Sequence, residues 1–297
     1  TPATRRASAA ALAGPINASG PILPVASIVG GDAQGGTARI VNSGAITTSF
    51  TTVTTAGIGG EASAPGNGTY TPSGGDGRGG TTELTSDVGS ITADTITLTA
   101  TGTAGGGFDA TGRSGVASGG TVLAQARSGG TIAVVTDLLL NAMGSANVGG
   151  GAWISSRTGG GITLLSQNGG LISAGNQIVA DASIGVSLGA GIITARSDSA
   201  TGGTISITTD GGALTTPTLD ALAHATTPNS TGPVALARGG TITIQSLNSG
   251  TMNVDVALTA DTSALGGSGP IGGAALGGTV SLIADGGALI FDGSAFL

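Results

Sequence analysis

A Gly-Gly-Thr signal recurs along the chain, opening at Gly35, Gly79, Gly119, Gly202, Gly239 and Gly277, with a Gly-Gly-Gly variant at Gly159. Each copy leads into a short alternating strand, a polar turn and a second apolar run. A unit of this size cannot bury its apolar face alone, so it must stack on copies of itself. That requirement restricts the chain to a repeat architecture before any single residue is considered.

Composition decides whether such a chain folds at all. Glycine supplies 59 of 297 residues, aromatics 2% and charged residues 8%. Glycine-rich chains without a period are disordered, but disorder also requires low hydrophobicity and high charge. Here mean hydropathy is +0.36, and Ile, Val and Leu fall at regular places. The chain should fold.

The columns of the repeat define strands. The first apolar column after the signal holds Ala38, Thr82, Val122, Ile162, Ile205, Ile242 and Val280. Two residues later come Ile40, Leu84, Ala124, Leu164, Ile207, Ile244 and Leu282. This period of two marks a strand with one buried face. The residues between, from Arg39 and Glu83 to Ser281, should point outward.

A turn column follows, read as Asn42-Ser43-Gly44, Asp87-Val88-Gly89, Ser128-Gly129-Gly130, Asn168-Gly169-Gly170, Asp210-Gly211-Gly212, Asn248-Ser249-Gly250 and Asp285-Gly286-Gly287. Short polar side chains and glycine suit left-handed turn geometry. Next comes a position that is apolar in every copy: Ile46, Ile91, Ile132, Ile172, Leu214, Met252 and Leu289. A third strand reads apolar-x-apolar-x-Ala, as in Ile96/Leu98/Ala100, Leu138/Leu140/Ala142 and Val256/Leu258/Ala260. The first copy, around Thr51 to Ala56, departs from that pattern. Glycine-rich excursions of variable length lead to the next signal.

Parallel stacking of equivalent strands, about 4.8 Å apart, puts like columns over like and closes one narrow core. The expected fold is all-β, a parallel β-helix (β-solenoid) with three strands per 37–45-residue repeat. Residues 1–34 form an N-terminal segment that is an atypical or partial repeat. Residues 35–297 form about seven repeats, the last incomplete. Two rungs of half the length per repeat remain open at this point. Arg39 and Glu83 supply a register test, since one rung per repeat makes them vertical neighbours.

The pattern Gly-Gly-Thr-φ-x-φ, Asx-Gly-Gly-x-φ, φ-x-φ-x-Ala (φ apolar) resembles the β-strand repeats of large bacterial exoproteins, the filamentous-haemagglutinin-like and autotransporter-type adhesins. The resemblance covers roughly residues 35–297. It implies a right-handed stalk, secretion to the bacterial cell surface or beyond, and roles in adhesion, biofilm or surface fibres. No secretion domain or receptor-binding module is visible.

Sites of chemistry are scarce in this sequence. No cysteine is present, which rules out disulfides and thiolate metal sites. The nine basic residues are all arginine, against 16 acidic residues and a net charge of −7. That balance argues against nucleic acid or an anionic membrane as partner. No apolar run is long enough for a transmembrane helix. Residues 1–30 lack the apolar core of an intact signal peptide, so the chain reads as processed or as a segment of a longer protein. Acidic residues are scattered and sit mostly at turns, and a β-helix lyase or hydrolase needs them clustered. His224 is the only histidine and has no second ligand for a metal. Gly105-Gly106-Gly107-Phe108-Asp109 approaches a calcium nonapeptide but does not recur in tandem. The absence of lysine excludes a phosphate loop.

The reading is therefore a non-enzymatic extracellular scaffold without cofactor or metal: a stalk, fibre or adhesin segment that self-associates through its ends or neighbouring subunits. Host or matrix glycans are the outside partners considered. Tyr70, Phe108 and Trp153 lie in excursions and are the candidate partner contacts. The rival is a carbohydrate-binding or carbohydrate-cleaving protein that uses a lateral groove. A minor alternative is ice binding through ladders such as Thr241/Thr243, though Arg39, Glu83 and Leu123 interrupt that column.

Overall fold

The computed structural model describes residues 4–12, 16–17, 30–63, 73–107, 112–148, 155–188, 199–229 and 236–297. It is an all-β parallel β-solenoid of about six turns with no helix among the described residues. The first wall is a seven-stranded parallel sheet running from Thr37–Asn42 through Thr121–Arg127 to Thr279–Asp285. Its register matches the sequence columns. Arg39 stands opposite Glu83, Glu83 opposite Leu123, and so on to Ser281. Each repeat is therefore one coil, and the half-length alternative falls away. Arg39 Nε lies 2.8 Å from a Glu83 carboxylate oxygen, as vertical neighbours require.

The second and third strands of each repeat share one 13-stranded sheet, so they form a single long wall. In the second coil that wall is unbroken from Ser90 to Ala104. In the third and fourth coils it splits, at Thr131–Val134 and Asp137–Asn141 and at Leu171–Ala174 and Gln177–Asp181. The split follows one extra residue between the inward positions, Val134 to Leu138 against Ala93 to Ile96. The same extra residue, at a register shift opposite Thr216/Thr218, corrects the sixth repeat. Its inward set is Leu258, Ala260 and Thr262, and Val256 sits outside at 59% exposure. Thr4–Leu12 pairs in parallel with Phe50–Ile58 at the other end.

A third wall closes each coil with only two residues, such as Gly77–Arg78, Ala117–Ser118 and Arg157–Thr158, again seven strands in one sheet. Short strands at this corner let the walls approach closely. The core is one continuous stack from Ala38 to Ala260, with the always-apolar column from Ile91 to Met252 buried at its centre. Burial of such side chains contributes about 1.5–3 kcal/mol each.

Two departures from the apolar pattern explain one another. Thr55 stands where later copies carry Ala100 and Ala142, and Thr82 stands where they carry Val122 and Ile162. Their hydroxyls meet at 3.0 Å inside the core, and Thr82 also donates to the Thr99 carbonyl at 2.8 Å. A paired hydroxyl costs far less to bury than a lone one.

The turns need a second correction. Asn42 pairs in register with Ser86, so it is the last inward residue of its strand, not the first of the turn. The column Asn42, Ser86, Ala126, Ser166, Thr209 and Ser246 is buried, and polar except at Ala126. Four of these side chains cap turn carbonyls, as Ser86 does to Gly89 O at 2.8 Å and Ser246 to Gly250 O at 2.7 Å, while Thr209 donates to Ser246 Oγ at 2.9 Å. Asp87 stacks on Arg127 at 3.2 Å, one strand position ahead of the turn. The left-handed positions are Val88, Ser128-Gly129, Asn168-Gly169, Gly211, Asn248-Ser249 and Gly286. No helix among the described residues is long and apolar enough to cross a membrane.

Candidate functional site

The Gly-Gly column is where the solenoid surface dips. From the third coil on, the second glycine of the pair donates its N–H to the preceding coil, at the end of its second wall. Gly120 bonds Ala100 O at 2.6 Å, Gly160 bonds Ala142 O at 2.7 Å, and Gly203 bonds Ala182 O at 2.8 Å. A Cβ on Gly120, Gly160 or Gly203 would collide with the carbonyl of the glycine one coil below. A Cβ on Gly119, Gly159 or Gly202 would strike the opposing Ala carbonyl. Glycine is required here by close approach, not by unusual dihedrals.

Without side chains along this corner, a groove of about 680 Å³ runs across five coils. One lip carries Gln34, Arg78, Ser118, Thr158 and Thr201, and the other carries Thr37, Thr81, Thr121 and Thr204. Its floor is peptide backbone whose N–H groups already serve the coil stack, as in Gly119 to Thr158 O and Thr121 to Gly80 O. What remains for a ligand is a double row of hydroxyls and the ends of Gln34 and Arg78. No aromatic platform lines it among the described residues.

A smaller hollow of about 210 Å³ adjoins one end, between Asp32, Gln34, Asp76 and Arg78. Here two carboxylates and a guanidinium come together, the combination a glycan-cleaving site needs. Their geometry assigns them elsewhere. Asp32 accepts from the Asp76 N–H at 2.8 Å, and Asp76 accepts from the Val116 N–H at 2.8 Å. The second Asp76 oxygen meets Arg78 at 3.2 Å. Each carboxylate thus ties its coil to the next.

His224 lies in the link between Ala213–Leu222 and Ala225–Thr226, half-buried, with Nδ1 3.7 Å from an Asp261 oxygen. Burial pushes the Asp261 carboxyl up, but hydrogen bonds from Ser263 and the neighbouring His224 outweigh it and hold the group below the ordinary carboxylate value. No three His, Asp or Glu side chains among the described residues gather as a metal set. The column containing Thr204, Thr241 and Thr279 stays exposed along the first wall, except at Gly161. The next outward column is broken by Arg39, Glu83 and Leu123, as the sequence indicates.

Tyr70, Phe108 and Trp153 lie outside the described residues. The sequence columns located the groove's glycines and threonines but gave no sign that they border a groove. They also passed over Arg157, which is fully buried. Its position is occupied by Gly77, Ala117, Ala200 and Ala237 in neighbouring coils, so aligning the dipeptide before each Gly-Gly would have exposed it. Comparison with family models, with curated proteins and with solved structures found no match.

Proposed function

We propose that the chain is a structural segment of an extracellular or bacterial cell-surface protein: a stalk, fibre or adhesin portion that supplies reach and display. The observation that carries this reading is the coil-on-coil stacking, in which the first and third walls align strand on strand through seven repeats and carboxylates bridge successive coils. The resemblance to exoprotein repeats supplies the surface location.

An in-frame deletion of residues 119–158, one coil, tests the scaffold reading. Solenoid stability is a sum over coils and their neighbours. The shortened protein should fold, lose about 4.8 Å of length, and support surface attachment with reach reduced in proportion. Attachment abolished while the fold and the remaining coils stay intact would show a discrete site instead.

The groove favours a second reading, the binding of an extended polyhydroxylated chain such as a matrix glycan along the Ser/Thr lips. Replacing Ser118 and Thr121 with Trp would fill the groove. Glycan retention that falls at least tenfold supports this reading, and retention that is unchanged removes it.

A further inference from the structure

Arg157 is the largest fully buried side chain among the described residues. It occupies the inward slot of the third wall, between Ala117 in the coil below and Ala200 in the coil above. The register there is firm. Ala117 N–H bonds Ser156 O at 3.2 Å, Arg157 N–H bonds Ser199 O at 3.0 Å, and Gly159 N–H bonds Thr201 O at 2.9 Å. The other arginines of this wall, Arg78 and Arg238, hold the second slot of their dipeptides and face outward. Arg157 alone is turned in.

Its guanidinium reaches toward the second coil beyond its own, where Nη2 lies 3.4 Å from the Thr226 carbonyl. Nε and Nη1 have no acceptor. Those two nitrogens carry three of the five N–H donors of a guanidinium. Ala200, stacked directly on Arg157, belongs with Ile184 and Ala225 to a small apolar cluster separate from the main core. The other described cation–carboxylate contacts, Arg39–Glu83, Arg78–Asp76, Arg127–Asp87 and His224–Asp261, are all at the surface.

A charge placed in this way is costly. Burying an ion without a partner costs several kcal/mol even after relaxation, and arginine does not escape by losing its proton. Desolvation pushes this group down only to about 10, so it stays a cation at neutral pH. A column otherwise built of glycine and alanine gains nothing in packing from it. The unmet donors and the positive charge call for one compact negative partner in the same compartment.

We propose that Arg157 anchors an interior anion site, occupied by a small inorganic anion of chloride size held between the third wall and the Thr226 strand of the second coil beyond. A halide suits the place because it accepts several N–H donors from one point and brings little bulk. The bound ion would fasten the Arg157 coil to the coil that carries Thr226.

The test compares the full chain with Arg157→Ala, the residue of the neighbouring coils, and Arg157→Met, which keeps the volume. Thermal unfolding is followed while chloride replaces gluconate at constant ionic strength. The native chain should gain about 3 °C or more, saturably. Both variants should show no gain and, in gluconate alone, should melt no lower than the native chain. Crystals of the native chain grown in bromide should show an anomalous peak within hydrogen-bond reach of the Arg157 guanidinium. No response to chloride, an equal response in the variants, or no bromide peak overturns the proposal and assigns the counter-charge to the chain itself. Should neither variant fold, the bromide peak decides alone.

Discussion

Glycine serves two distinct purposes in this molecule, and the two respond differently to one added methyl group. Gly129 has a φ of 78° and open space around its Cβ position, so Gly129→Ala meets only the left-handed backbone penalty, about 1–2 kcal/mol. Gly120 has ordinary dihedrals but lies against the Gly80 carbonyl, so Gly120→Ala must push two coils apart. Its cost should be greater, about 2–4 kcal/mol. Denaturant titration of the two variants checks the order, and a Gly129→Ala loss equal to or above that of Gly120→Ala would contradict it. Val88 presents the converse case. It is β-branched, 69% exposed, and held at a φ of 64° in the one turn that lacks glycine at that position and has no Asn or Ser there. Val88→Gly should raise stability by about 1 kcal/mol, the left-handed penalty less the greater chain entropy of glycine when unfolded. An unchanged or lowered denaturation midpoint would show that the strain is relieved elsewhere.

At the level of strands and turns, carboxylates belong to the stack. Asp32, Asp76 and Asp87 each hold a group in the next coil, and Asp261 is held below its ordinary value mainly by Ser263 and His224 against the opposing effect of burial. A depressed carboxyl contributes stability above its unfolded value, near pH 4, and loses it as pH falls through the folded value. Asp261→Asn should therefore melt below the native chain at pH 6, with the gap closing as the medium becomes more acid than pH 4. The effect should be small because the side chain is 38% exposed. Melting curves across that range check it, and a gap that widens in acid would reverse the sign. Most of this layer was legible in the sequence, because period-two columns and Gly-Gly signals are imposed directly by stacking. Asn42 and Val256 were misplaced for a physical reason: turns and corners absorb one residue without disturbing the columns beside them. The groove was not legible, since it is made by missing side chains. Arg157 gives no signal in those columns because it belongs to a two-residue strand ahead of the Gly-Gly pair, too short to show a period.

The whole molecule is a rod whose length is set by the number of coils, and its proposed roles of reach and display rest on that proportionality. The absence of cysteine makes the proportionality directly measurable, because introduced pairs are the only thiols to label. Spin labels at outward threonines of the first wall, one pair at Thr81 and Thr241 and another at Thr37 and Thr279, span four and six coils along one column. Dipolar spectroscopy should give separations near 19 Å and 29 Å, rising linearly at about 4.8 Å per repeat. Separations about twice as long would mean two rungs per repeat, and separations unrelated to the number of intervening repeats would contradict the solenoid itself.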